Sequence, residues 1–290
     1  MLNLACIYMT AASGAAFCIK AGEFNLGGEG QIYLGGFAAA VILNRLEFLP
    51  AIPAMLISFT GAAAVAAITA MISALLKKFR NVDFLLTSFL LSAAVIPVID
   101  ALVAGPFRGS TENLLATPFI QQKFRFGELL PPSPLNTSAS ASVIVCAVSF
   151  IVMNRTEFGR KLQLYGISPE FSKYSGIRQG QVLVPAALIS GALHGAAGFF
   201  AVCGTYFTCH SGFYGGMGWS ALSCAIIAKA NPVAIIPVSA GLSWLTTSAD
   251  RTALTSGLNF DLSGLIQAVV LIMTAMPAIA HRKRPHRAKI

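Results

Sequence analysis

Two stretches of this sequence gather polar side chains and glycines at spacings that could do chemistry, and the chemistry is binding. The first is residues 155–177, RTEFGRKLQLYGISPEFSKYSGI, a polar, basic island between two long apolar runs. Gly159, Gly166, Gly176 and Pro169 punctuate it, which predicts a short helix, a turn and a second short helix. A folded basic island on one face of an apolar protein reads in two ways. It is an ordinary loop obeying the charge bias of membrane insertion, or it is an element on which another protein docks.

The second stretch is residues 21–36, AGEFNLGGEGQIYLGG, where glycines at 27, 28, 30, 35 and 36 stand beside Glu23, Asn25, Glu29 and Gln31 at the mouth of an apolar run. Acidic and amide groups at such a place are costly unless they face a cavity or another helix. Glycines let helix backbones approach and permit a broken helix. The cluster is therefore either a packing site or part of a translocation path and its gate. Asn25 and Glu29 are four residues apart and share a face if the helix already runs through them, whereas Gln31 falls off that face. Asn25 and Glu29 are expected to act together, with Gln31 against a neighbouring helix.

Catalytic signatures are absent. There is no GxxxxGK[ST] phosphate loop, no nucleophile elbow and no HExxH pair. Gly28-Glu29-Gly30 lacks the strand and helix that a dinucleotide fingerprint needs. The six cysteines form no CxxC pair and have no metal-ligand spacing with the four histidines, so they read as small buried residues. His194, alone among small residues, reads as a helix-packing hydrogen-bonder. No catalytic residue, metal site or cofactor is expected in this chain.

The elements that must position these residues follow from composition. The chain has 290 residues, 56% of them hydrophobic and 11% charged, and a mean hydropathy of +0.72. A soluble domain carries roughly a quarter charged residues, so this chain belongs in a bilayer. The expected fold is all-α, a polytopic membrane protein with about nine transmembrane helices, because crossing ~30 Å of hydrocarbon takes about 20 apolar residues as a helix. The apolar segments are 2–19, 26–44, 51–76, 84–104, 138–154, 182–207, 215–229, 232–248 and 262–280. Segment 215–229 is short and glycine-rich, which points to a broken or re-entrant helix. The first segment lacks a basic flank and reads as a transmembrane helix rather than a cleaved leader. The whole chain, 1–290, reads as one transmembrane domain.

The net charge of +9 would suggest nucleic acid in a soluble chain. Here the basic residues track loops, so insertion topology accounts for them and no nucleic acid is expected. Fifteen of the 20 Lys and Arg fall on one side when the 77–80 cluster, the 155–180 loop and the 281–290 tail share that side. That side is the cytoplasm, so the C-terminus is expected inside and the long 105–137 loop outside.

The motifs carry a family resemblance. The island resembles the coupling loop of ABC transporter permeases, whose Glu-Ala-Ala-x-x-x-Gly core inserts into a groove on the ATPase. Glu170 and Gly176 hold the Glu and Gly positions, with Phe171 and Ser172 at the two alanines. More specifically it resembles the branched-chain amino acid/ribose/nucleoside permease family through Arg155-Thr156, Gly159, Gly166 and Gly176-Ile177, with Ser168 where Asn is usual. Gly22, Phe24, Asn25, Gly27, Glu29, Gly30 and Gln31 are similar to the nucleoside-like branch. The blocks Ser190–Gly198 and Gly216–Trp219, the latter followed by Asn231-Pro232, lie in the family's order.

The resemblance implies the permease subunit of an ATP-driven importer in a bacterial cytoplasmic membrane. ATP would be bound and hydrolysed by a separate ATPase subunit that couples through Arg155, Thr156, Gly159, Gly166, Glu170, Gly176 and Ile177. Asn25, Glu29 and Gln31 would belong to the translocation path. A second related permease, in a heterodimer, and an extracytoplasmic solute-binding lipoprotein are the other implied partners. The solute would be a nucleoside, with riboflavin or a simple sugar as close options. A secondary transporter driven by an ion gradient is the other class. It would need embedded ionisable residues and inverted repeats, and only Glu23 and Glu29 answer to the first.

Overall fold

The computed structural model describes residues 1–109, 114–130, 133–256, 264–270 and 272–273. Apolar runs become helices because a backbone out of reach of water must bond to itself. Six helices are long and apolar enough to cross a membrane: α1 (Leu2–Lys20), α3 (Ala51–Arg80), α4 (Phe84–Ala104), α5 (Ser138–Arg155), α8 (Gln179–Ala201, extended by one π-helical turn, Val202–Tyr206) and α10 (Pro232–Ser256). Helix α2 (Gly28–Arg45) has 18 residues but fails on apolarity, carrying the polar cluster at its start. Helix α9 (Met217–Ile227) has 11 residues. At ~1.5 Å per residue it reaches only about halfway through the hydrocarbon. Nine full spans are thus not what the described residues show. The expected segment 262–280 and the 281–290 tail lie largely outside them.

The chain also departs from a purely helical fold. Part of the 105–137 loop forms a small antiparallel hairpin, β1 (Glu128–Leu130) with β2 (Ser133–Asn136). Upstream of it the loop pairs with the chain that follows α8: Thr117 donates its N–H to the Cys209 carbonyl and Ile120 to that of Phe207, both at 2.9 Å. Residues 131 and 132, in the proline-rich PPSPL run, lie outside the described residues.

Helices α1 and α8 are the interior, and α3, α4 and α5 turn large apolar side chains such as Leu56, Leu86 and Ile144 outward. The small residues of Ser190–Gly198 explain why α8 is central. A methyl on Gly191 would lie 2.5 Å from the Ala66 carbonyl oxygen of α3, and one on Gly195 or Gly198 would strike the backbone of α3 or α2. Backbones in that contact gain dispersion where apolar burial gives no drive, since lipid is as apolar as leucine. His194 sits in this seam, buried, with Nδ1 2.7 Å from the Ser190 carbonyl, as a packing residue should. All six cysteines are buried and free.

Candidate functional site

The basic island folds as two short helices, α6 (Glu157–Ile167) and α7 (Pro169–Tyr174). Thr156 ends α5 and starts α6. Its hydroxyl accepts the Gly159 N–H at 3.1 Å and donates to the Val152 carbonyl at 2.6 Å. Gly159 backs onto the carbonyls of Val152 and Met153 with no room for a side chain. Ser168 caps α7 by accepting the Phe171 N–H at 3.3 Å, and Pro169 occupies the first helical position. Gly176, at φ +78°, ends α7. Its N–H donates to the Lys173 carbonyl at 3.1 Å, and that of Ile177 donates to Ser172 at 2.9 Å. That pair of bonds is a Schellman motif, whose left-handed residue is normally glycine. Nothing lies within 4 Å of where a Gly176 side chain would begin, so backbone conformation and not space requires glycine.

The sequence reading missed the exposed face of this unit. Ile167, Phe171 and Tyr174 are 83%, 57% and 92% exposed. Phe171 and Tyr174, three residues apart in α7, share one side of that helix, Ile167 stands at the end of α6 just before it, and Glu170 and Arg155 are also exposed nearby in sequence. The signal was present as three large apolar or aromatic residues inside a polar run. It was masked by the island's overall charge.

Gly166 ties this unit to the bundle. It meets the Lys20 carbonyl at the end of α1, and Gly22, itself at φ +78°, lies against it. A Gly166→Ala methyl would collide with that backbone. We expect overpacking of about 1–3 kcal/mol, seen as a lower melting temperature of the purified protein.

From Gly22 the chain leads directly into the polar cluster. Glu23 pairs with Lys77 of α3. Asn25 does not share a helical face with Glu29, because α2 begins only at Gly28. Instead Asn25 pairs with Gln31: its Nδ2 donates to Gln31 Oε1 and to Ser190 Oγ, both at 2.9 Å, and its Oδ1 accepts the Gly27 N–H at 2.9 Å. The expected partnership is therefore corrected. Asn25 and Gln31 form one unit, and Glu29 turns to another helix. Ser88 and Ser92 of α4 accept the N–H groups of Leu26 and Gly30 at 3.1 and 2.7 Å. They complete the satisfaction of donors that a helix start leaves open.

Glu29 is buried and caps α9. Its Oε1 accepts the Gly218 N–H at 2.8 Å and the Trp219 N–H at 3.2 Å. Gly216, at φ +77°, turns the chain into that helix. Gly218 packs against the backbone of Gly28 and Glu29 so closely that a side chain would not fit. The starts of α2 and α9 thus abut inside the protein, with one carboxylate on the positive end of the second. The short helix expected to be broken or re-entrant is held here by its N-terminus. Among the described residues no group of three or more His, Cys, Asp or Glu could hold a metal ion. The junction has hydrogen-bonding partners and no reactive constellation. What it does in this structure is join α2 and the residues just before it to α8 and α9 by hydrogen bonds.

Comparison with known proteins gives the family. A family model described as branched-chain amino acid transport system / permease component matches residues 1–275. The probable riboflavin import permease of Treponema pallidum is 33% identical over 94% of this chain and 72% of its own length. The glucose ABC transporter permease of Haloferax volcanii is 26% identical over 88% of this chain and 69% of its own length. The guanosine ABC transporter permease of Bacillus subtilis is 21% identical over 92% and 78%. No solved structure matches the chain.

Proposed function

Because the chain belongs to the branched-chain amino acid transport system permease family, we propose that it is the membrane subunit of an ATP-driven importer whose cargo is riboflavin or a nucleoside. One observation carries the cargo reading: the relative at 33% identity is a riboflavin permease, while a guanosine permease aligns over nearly as much of the chain. Both solutes join a flat heteroaromatic ring to a hydroxylated chain or sugar. The family implies an ATPase partner and a binding protein. A second, related permease as heterodimer partner, a lipoprotein as the binding protein and placement in a bacterial cytoplasmic membrane complete the proposal.

The mechanism follows from connectivity. The exposed Ile167, Phe171 and Tyr174 face supplies apolar area for the ATPase to bury. Movement of α6 is transmitted through Gly166 to the ends of α1 and the 21–27 connector. That connector starts α2, and Glu29 of α2 holds α9. A displacement at the ATPase thereby reaches the buried junction along rigid elements, with Asn25, Gln31 and Glu29 as the latch of the path. ATP-dependent uptake of labelled riboflavin or guanosine by cells expressing the whole transporter tests this reading. Uptake that persists without the ATPase and collapses with an ionophore would favour the ion-coupled carrier instead.

Topology is checked by cysteine labelling on a cysteine-free background. Gly127, exposed and with nothing within 4 Å of an added side chain, marks the 105–137 loop, and exposed Lys173 marks the coupling segment. An impermeant thiol reagent applied to intact cells should modify Gly127→Cys and spare Lys173→Cys. Labelling of the second would invert the proposed orientation and the inside C-terminus with it.

A further inference from the structure

A cavity of about 480 Å³ opens between the start of α1, the hairpin, the π-helical turn and α10. Its size falls in the range of small-molecule sites, ~300–1,000 Å³. Three aromatic residues line it: Phe126, Tyr206 and Phe207. Each ring is held from behind by packing that does not use the cavity. Tyr206 lies edge-on to His210 with centroids 5.1 Å apart, Phe126 packs on Phe199 and Phe200 at 5.8 and 5.9 Å, and the Arg125 guanidinium sits 4.5 Å from the centre of the Phe207 ring.

The backbone beneath these rings is irregular at the same place. Val202–Tyr206 is a π-helical turn, a feature concentrated at functional sites. Phe207 follows at φ +60°, a conformation that bulky residues rarely adopt. The irregularity aims two adjacent aromatic side chains into one cavity. Five polar side chains also line it; Asn3 and Asn136 are bonded to the protein backbone, which leaves Glu128, Thr205 and Thr247. None of the side-chain oxygens of these three makes a hydrogen bond or ion pair among the described residues. A cavity with pre-set aromatic walls and open hydrogen-bonding groups has the chemistry of a site for a ring that carries hydroxyls.

We infer that this cavity is a binding site for a flat heteroaromatic ring bearing a hydroxylated substituent, with Tyr206 and Phe207 stacking on the ring and Glu128, Thr205 and Thr247 bonding the hydroxyls. The inference rests on the importer reading and deepens it. It assigns solute recognition to the permease itself, at the end of the bundle away from the coupling segment. The hairpin and the π-helical turn are the parts that select the solute.

The test uses the full chain in nanodiscs, titrated against riboflavin, whose emission is quenched by stacking on an aromatic side chain. Saturable quenching is expected, reversed by guanosine and not by glucose. Tyr206→Leu should weaken binding about tenfold, the scale of losing one stacked ring. Tyr206→Phe, which keeps the ring, should bind close to the parent. Glu128→Ala should weaken binding several-fold, and since Glu128 is exposed and its carboxylate has no partner among the described residues, that variant keeps its fold. No saturable quenching by the parent, quenching reversed by glucose, or binding unchanged in both Tyr206→Leu and Glu128→Ala would each overturn the site. ATP-driven uptake of riboflavin or guanosine in cells separates the two claims. If the parent imports these solutes while the site variants bind like it, the importer reading stands and the site falls. If the parent imports neither, the cargo reading itself fails.

Discussion

Gly176→Val is expected to abolish solute uptake while the protein still inserts at parental levels. Gly176 holds φ +78° at the end of a six-residue helix, and its N–H and that of Ile177 close the motif that ends it. A β-branched residue in the left-handed region costs about 1–3 kcal/mol. Helix α7 has no long span over which to dilute that cost. The chain would relieve it by unwinding α7, which carries Phe171, Tyr174 and Glu170. The bundle would be untouched, because Gly176 makes no close contact with it. Substrate-stimulated ATP hydrolysis by the assembled transporter should therefore fall at least tenfold, with thermal stability of the isolated permease within a few degrees of the parent. Gly176→Asn, which tolerates the left-handed region, should retain most activity. Parental transport by Gly176→Val would remove the coupling role from this segment.

Glu29→Leu is expected to be as damaging by a different route. The substitution removes the acceptor of two buried N–H groups, Gly218 and Trp219. Each orphaned donor costs about 1–3 kcal/mol. The start of α9 would lose its anchor to α2, and uptake should drop more than tenfold at equal membrane level. Glu29→Gln keeps an oxygen at the same place and removes the charge. Hydrogen bonding as the working interaction predicts near-parental uptake for Gln and failure for Leu. Failure of both would show that the charge itself matters, through the positive end of α9. Parental uptake by both would reduce the junction to a packing site.

Asn25→Leu and Gln31→Leu should resemble each other, since they break the same pair. Combining either with Glu29→Leu should give losses that roughly add, because the two units contact different helices. Uptake by the three single and two double variants, at matched membrane levels, checks this division. A strongly non-additive Asn25 and Glu29 pair would restore the shared face that the spacing alone suggested.

The two short helices of the basic island were legible before the structure. Pro169 at a helix start and Gly176 at a helix end act within a few residues of themselves, so spacing along the chain is enough to read them, whereas the caps Thr156 and Ser168 came only with the structure. The membrane class was equally legible, because hydropathy depends on composition alone. So was the shortness of 215–229, where the helix runs only over Met217–Ile227. The exposed Ile167, Phe171 and Tyr174 face was readable in principle, but exposure depends on what else packs nearby.

The junction shows the other limit. Whether Asn25 shares a face with Glu29 depends on where α2 begins, and the chain starts that helix at Gly28, with Ser88, the Asn25 carboxamide and Ser92 accepting the N–H groups of Leu26, Gly27 and Gly30 around that start. Asn25 finds Ser190 across 165 residues, and Glu29 finds Gly218 across 189. Those pairings are set by helix packing. Gly28 and Gly218 let two helix starts touch, and in a low-dielectric interior a carboxylate beside them takes the nearest unbonded N–H groups. Periodicity, punctuation and charge bias are local quantities, and the sequence by itself determined what they control: the class, the short helices of the basic island and the identity of the polar residues. The partner of each buried polar side chain is a property of three-dimensional proximity, and only the tertiary structure decided it.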